Sequence, residues 1–342
     1  MPDKNQNIET VFKQFNKQIE PVLAKVLKTD VAANLYSLVQ YPISTGGKRL
    51  RPVLTIVSCL ALGGKLKDVL YPAAALELLH NYSLIVDDII DNGLIRRGQP
   101  TVWVKYGQSI TECLAIDYAA SIFQAANQSP ASQKIIGVLA RSLKVLADGE
   151  VKDILFERQG RDKEPFVIKE RPKKINQGDY LLMISQKTAA LLQACCWVAG
   201  ICAGASNKKM KALKDFGLNL GIAFQLQDDI LDMFGEEKKF GKKIGKDIEE
   251  KKGGNIVLLY ALEEASPKEK KMIQKIMSQK VVGQRDIENV LKIIQSTKAL
   301  SMAFALKEHY VALAKSSLKF LPNNQWSKML GELADFVAQR DK

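Results

Sequence analysis

The sequence predicts an all-α protein, and three observations carry that reading. Apolar residues recur at spacings of three and four through most of the chain. Leu, Ala, Ile and Lys dominate while aromatics make up only 7 %, a balance that leans toward helix over sheet. Strand-like alternation between Asn-Gly or Asp-Gly turns is nearly absent.

Taken in order, Met1 to Glu20 alternates polar and apolar residues and holds no signal-peptide core. Leu54, Val57, Leu60 and Ala61 mark one helix, closed at Gly63-Gly64, and Leu76, Leu79, Ser83 and Val86 mark the next. Further breaks fall at Gly98-Gln99-Pro100, Ser129-Pro130, Gly204 to Asn207 and Gly253-Gly254. Gln159 to Gly178, with Pro165 and Pro172, is the most polar stretch and reads as a long surface loop. A domain linker is the alternative there. The long apolar helices that follow need partners from the N-terminal half, so one domain, residues 1–342, is expected. Thr188 to Ala205 is uncharged and just long enough to span a membrane. Gln193, Gly200, Gly204 and its small side chains make it a buried core helix instead, and no transmembrane segment is expected.

A chain of 342 residues with 46 % hydrophobic content can bury a large core. Its five cysteines (Cys59, Cys113, Cys195, Cys196, Cys202) follow no zinc spacing and no disulfide framework, which points to a reducing cytoplasm. The net charge of +13 asks for an anionic partner. Much of it lies in lysine clusters, Lys208-Lys209 through Lys214, Lys238-Lys239, Lys242-Lys243 and Lys268 to Lys271, which read as solvated helix faces. No zinc finger, RNA-binding signature or helix-turn-helix accompanies them, so no nucleic-acid partner is expected. A peripheral contact with anionic membranes stays open.

Two acidic pentads stand out: Asp87-Asp88-Ile89-Ile90-Asp91 and Asp228-Asp229-Ile230-Leu231-Asp232. Each ends a mostly uncharged helical run, and the first and last aspartates share one helix face a turn apart. Three like charges so close destabilise a helix that has no cation to bind. One such cluster reads equally well as a solvated acidic face. Two copies suggest paired carboxylate walls around a metal-filled cavity.

Around the pentads lie Gly46-Gly47-Lys48-Arg49-Leu50-Arg51-Pro52, Arg96-Arg97-Gly98-Gln99-Pro100-Thr101, Lys187-Thr188-Ala189, Phe224-Gln225-Leu226-Gln227 and Phe240-Gly241-Lys242-Lys243-Ile244-Gly245-Lys246-Asp247. In this order the set resembles the trans-isoprenyl diphosphate synthases, short-chain and similar to those that make geranylgeranyl diphosphate. The resemblance implies long helices packed around a central cavity, a homodimer, and head-to-tail condensation of isopentenyl diphosphate with an allylic diphosphate. Breaking the allylic carbon–oxygen bond leaves a carbocation and a pyrophosphate, and two facing clusters holding two to three Mg2+ ions would clamp that leaving group. Asp87, Asp91 and Asp228 are expected as direct ligands, with Asp88, Asp229 and Asp232 in close support. No activated nucleophile is needed, because the pyrophosphate itself can take the final proton.

By the same resemblance, Lys48, Arg51, His80 and Arg97 would hold isopentenyl diphosphate, which binds without metal. Arg96, Lys187, Thr188, Gln225, Lys242 and Lys252 would contact the allylic diphosphate. Tyr82, five residues before Asp87, and small Ser83 beside it form the expected floor that limits the product to twenty carbons. Farnesyl or longer products (geranylfarnesyl, polyprenyl) are the alternatives, as is a non-catalytic partner subunit. Val86 stands where the family often has histidine, and Glu150 where glutamine is common. Glu250 to Ile256 lacks the usual Gly-Lys-x-Thr-x-Pro ending, which bears on Lys252. A class I terpene cyclase would have no reason to keep Lys48, Arg51 and Arg97.

Overall fold

The computed structural model describes residues 7–235 and 244–339, and those residues are overwhelmingly helical, as the sequence predicts. The one ladder among them pairs Ile95–Arg96 with Gln99–Pro100, antiparallel. Two compact units emerge: Met1–Leu143 with Leu191–Asp215 and Ser317–Glu332, and Lys144–Ala190 with Phe216–Ser316 and Leu333–Lys342.

The first unit opens with α1 (Ile8–Lys28), α2 (Tyr36–Ser44), α3 (Leu50–Ala61) and α4 (Leu66–Ile90), and continues with α5 (Val102–Tyr106) and α6 (Gln108–Asn127). Helix α1 starts where the Asn7 side chain accepts from the Glu9 backbone N–H at 3.2 Å, a cap for one orphan donor. Its buried stripe, Val11, Phe15, Ile19, Leu23 and Val26, repeats every three to four residues and lies on α3 and α4. Helix α4 packs along α3 and α6, and its run from Ala73 to Leu79 is buried. Inside that run stands one charged residue, Glu77, 2 % exposed.

In the second unit, α7 (Ser132–Phe156) contributes its C-terminal half. After it come α8 (Pro165–Glu170) and α9 (Gln177–Ile184), so the expected loop from Gln159 to Gly178 is partly helical. Pro165 explains this, since its fixed φ suits a first helical position. A capping box between Asn176 and Asp179 then starts α9. The chain runs through one π-helical turn, Ser185–Ala189, into α10 (Ala190–Cys202). Two glycines give that turn room. A Cβ on Gly149 of α7 would lie 2.2 Å from the Lys187 backbone nitrogen, and one on Gly221 would lie 2.4 Å from Ala189 Cα.

Helix α11 (Asn207–Phe234) sets Ile222, Leu226, Ile230 and Met233 into the second unit's core, where they meet residues of Ile256–Glu264 and Gln284–Ser296. Near the end of the described chain, Lys307 is buried. Its ammonium donates to Gln227 Oε1 at 3.1 Å and to the Ala338 carbonyl at 2.9 Å, in the last turn of Gln325–Gln339.

Two helices, Leu66–Ile90 and Gln177–Cys202, are long and apolar enough to cross a bilayer by length and composition. Both carry fully buried core residues, among them Leu76, Leu78 and Leu79 in one, and Leu192, Cys195, Cys196 and Val198 in the other. All five cysteines are free thiols, and burial pushes Cys59, Cys195 and Cys202 up to about 12.

Candidate functional site

Both pentads fall at the C-terminal ends of their helices. Asp87 and Asp88 occupy the last turn of α4, and Asp91 is its C-cap. Asp228, Asp229 and Asp232 lie in the last two turns of α11. A helix C-terminus carries a partial negative charge, so carboxylates there are disfavoured unless a cation answers them.

In the first unit, Arg96 takes up part of that charge. Its Nε donates to both oxygens of Asp88 at 2.9 Å, and Nη2 approaches at 2.8 Å. The hairpin that carries Arg96 is fastened to the chain after α4. Thr101 Oγ1 and Trp103 Nε1 both donate to the Gly93 carbonyl, at 2.7 and 2.8 Å. Asp88 and Arg96 line a small cavity with Asn81, Ile85 and Arg97. Asp87 and Asp91 lie on a different strip of α4. On a straight helix Ser83 falls about 40° from Asp87, whereas Tyr82 falls about 140° away. Ser83 is buried and Tyr82 half-buried.

The glycine loop before α3 meets the same hairpin. Arg97, itself left-handed at φ 53°, donates to the Gly46 carbonyl. Its guanidinium lies against Gly47, where a Cβ would come within 3.0 Å of it. Arg51, His80 and Arg97 share this neighbourhood, and Lys48 is exposed on the loop before α3. Burial, and then the positive charges of Arg51, Arg97, Arg96 and Arg49, hold His80 well below its usual 6.5.

In the second unit, Asp229 is buried and accepts from Tyr180 Oη at 2.8 Å, Gln225 Nε2 at 3.0 Å and the Ile256 backbone N–H at 2.9 Å. Burial, with repulsion from Asp247, still pushes its carboxyl up to about 8. Asp232 accepts from the Asp247 N–H at 3.2 Å, and Asn255 donates to Asp247 at 2.8 Å. Thr188 Oγ1 bonds Gln225 Oε1 at 2.8 Å, so the π-helical turn joins this network. Such turns concentrate at functional sites. Lys187, on the same turn, lies 2.6 Å from Asp153 and 2.8 Å from Glu150. Burial alone would raise Asp153, but Lys187 and Lys252 outweigh it and hold its pKa below the usual range. Lys252 thus belongs to the cluster and pairs with Glu250 at 3.3 Å. Lys242 lies outside the described residues.

Sequence reading did not single out Arg49, Glu77, Tyr180 or Asn255. Glu77 had a visible signal, as the lone charge in an apolar helical run. Tyr180 had none, because its partner is 49 residues away.

Long helices that end in aspartate pairs, with basic side chains gathered beside each, define a prenyltransferase of the isoprenoid synthase fold. Residues 32–294 match the polyprenyl synthetase family, and the chain belongs to it. It is 34 % identical over 340 residues to a geranylgeranyl diphosphate synthase from Saccharolobus solfataricus, covering 96 % of this chain and 97 % of that one. Among solved structures it resembles a geranylgeranyl pyrophosphate synthetase from Pyrococcus horikoshii, with a TM-score of 0.87, 29 % identity, and 98 % and 100 % of the two chains covered. A polyprenyl synthase from Caulobacter crescentus, solved with calcium and isoprenyl diphosphate, gives a TM-score of 0.86 and 29 % identity over the full length of both chains.

Proposed function

We propose that the chain acts as one catalytic domain that condenses isopentenyl diphosphate with allylic diphosphates, depends on magnesium, and releases geranylgeranyl diphosphate. The observation that carries this reading is the position of both aspartate pairs in the last turns of their helices, where a cation offsets their cost. Among the described residues no three Asp, Glu, His or Cys side chains enclose an ion by themselves. Magnesium is usually held by one or two carboxylates together with substrate phosphates and water. In the first unit Asp87 and Asp91 would hold magnesium with Asp88 fixed by Arg96, and in the second Asp228 would, with Asp229 and Asp232 fixed by protein donors. When bound, it would neutralise charge on the departing diphosphate.

Lys48, Arg51, His80 and Arg97 would bind isopentenyl diphosphate. Arg96, Lys187, Thr188, Gln225, Lys242 and Lys252 would orient the allylic diphosphate. Ser83 and Tyr82 would set the length of the product. A homodimer through α6 is part of the proposal, supported by exposed Ile110, Ile116 and Phe123 on that helix. The five free thiols fit a cytoplasmic location.

One incubation tests the reaction: purified protein, magnesium, isopentenyl diphosphate and, in turn, dimethylallyl, geranyl and farnesyl diphosphate, with products sized. Twenty-carbon product is expected from each primer, and none after EDTA. If no primer is elongated, the reading is wrong. Tyr82→Ala should lengthen the product, and an unchanged distribution would remove Tyr82 from the floor.

A further inference from the structure

Arg49 sits between two residues assigned to isopentenyl diphosphate, Lys48 and Arg51, yet its side chain is only 3 % exposed. Every nitrogen of its guanidinium is engaged. Nε donates to Glu20 Oε1 at 2.8 Å, Nη1 to the Gly46 carbonyl and Glu77 Oε1, both at 3.2 Å, and Nη2 to the Ile43 carbonyl at 2.6 Å. Glu77 is held in turn by Asn81 Nδ2, through its carboxylate at 3.2 Å and its own carbonyl at 2.8 Å. Burial opposes the charge on Arg49, but Glu77 and Glu20 outweigh it and raise its pKa. A guanidinium so occupied cannot turn to a diphosphate without taking its charge away from buried Glu77, a costly exchange.

What Arg49 does hold is the loop. It clasps the carbonyls on either side of Ser44 and Thr45, while Arg97 reaches the same Gly46 carbonyl. Arg49 is also left-handed, at φ 54°, immediately before α3. A non-glycine residue stays in that conformation only where its surroundings over-determine it. The conformation fixes the path from Lys48 to Arg51.

We infer that Arg49 is a positioning residue for isopentenyl diphosphate, locked by Glu77 and Glu20 so that its loop presents Lys48 and Arg51 in register. The inference rests on the assignment of Lys48, Arg51 and Arg97 to that substrate. It also brings α1 into substrate binding, because Glu20 lies on α1, outside the span that matches the family.

Arg49→Lys, Glu20→Ala and, as a control, Lys48→Ala test it by the KM of each substrate, kcat and Tm. Lysine keeps the charge but loses the fork, so Arg49→Lys should raise the KM for isopentenyl diphosphate about tenfold. The KM for the allylic diphosphate should stay within about twofold of its starting value. Glu20 is 46 % exposed, so Glu20→Ala folds even if Arg49→Lys does not, and should shift the same KM about threefold. A lower Tm with both KM values unchanged, or an equal rise in both, would reduce Arg49 to a structural ion pair. An unchanged isopentenyl diphosphate KM in Lys48→Ala would instead overturn the substrate assignment itself.

Discussion

At the scale of single residues, Lys187 shows how much charge balance one substitution can shift. Two carboxylates grip its ammonium, Asp153 at 2.6 Å and Glu150 at 2.8 Å. In the proposed allylic role of Lys187, an arriving diphosphate must compete with both. Glu150→Gln leaves one competitor, so the KM for the allylic diphosphate should fall about three- to tenfold. A rise would show that Glu150 is what aims Lys187. His80 gives a pH prediction whose sign follows from its surroundings. Its folded pKa lies well below 6.5, so the unfolded chain takes up a proton that the folded one refuses. The neutral ring's contribution to stability is full above about pH 6.5 and erodes below it. Tm should therefore fall more steeply for the wild type than for His80→Gln between about pH 7 and pH 5. Parallel curves would mean that other groups carry the acid sensitivity.

Among the elements, the π-helical turn Ser185–Ala189 depends on absent side chains. Gly149 and Gly221 let α7 and α11 approach it to distances that no Cβ tolerates. Helix propensity alone would reward Gly149→Ala by about 1 kcal/mol. Overpacking against the Lys187 backbone should reverse the sign and cost about 2–3 kcal/mol in urea unfolding, with a raised KM for the allylic diphosphate. A stabilised variant would show that the turn can move aside. Sequence analysis drew attention to Glu150 but not to its neighbour Gly149. The glycine's reason lies 38 residues further on, in contacts that no local pattern encodes.

For the molecule as a whole, most of the helical plan was legible because it is written in local periodicity and punctuation. The breaks at Gly63-Gly64, Ser129-Pro130, Gly204 to Asn207 and Gly253-Gly254 all separate helices. Both pentads could be found for the same reason, since each is complete within five residues. What could not be read was the support behind the second pentad and its neighbours: Tyr180 on Asp229, Asn255 on Asp247, and, beside the first, Glu77 on Arg49. The side chains behind Asp229 and Arg49 come from residues 49 and 28 positions away, joined only by folding.

Lys307 belongs to this hidden group. Replacing it with methionine should cost about 1–3 kcal/mol in chemical denaturation, because the buried bonds from its ammonium to Gln227 Oε1 and the Ala338 carbonyl would be lost. An unchanged midpoint would mean that water or a neighbour substitutes for it.

That same lysine sets a rule for anyone who engineers the chain. A truncation, or a fusion junction that replaces the chain from before Ala338, would remove the acceptor that Lys307 reaches from the preceding α-helix. The damage would then surface at Gln227, one residue before Asp228, rather than at the cut.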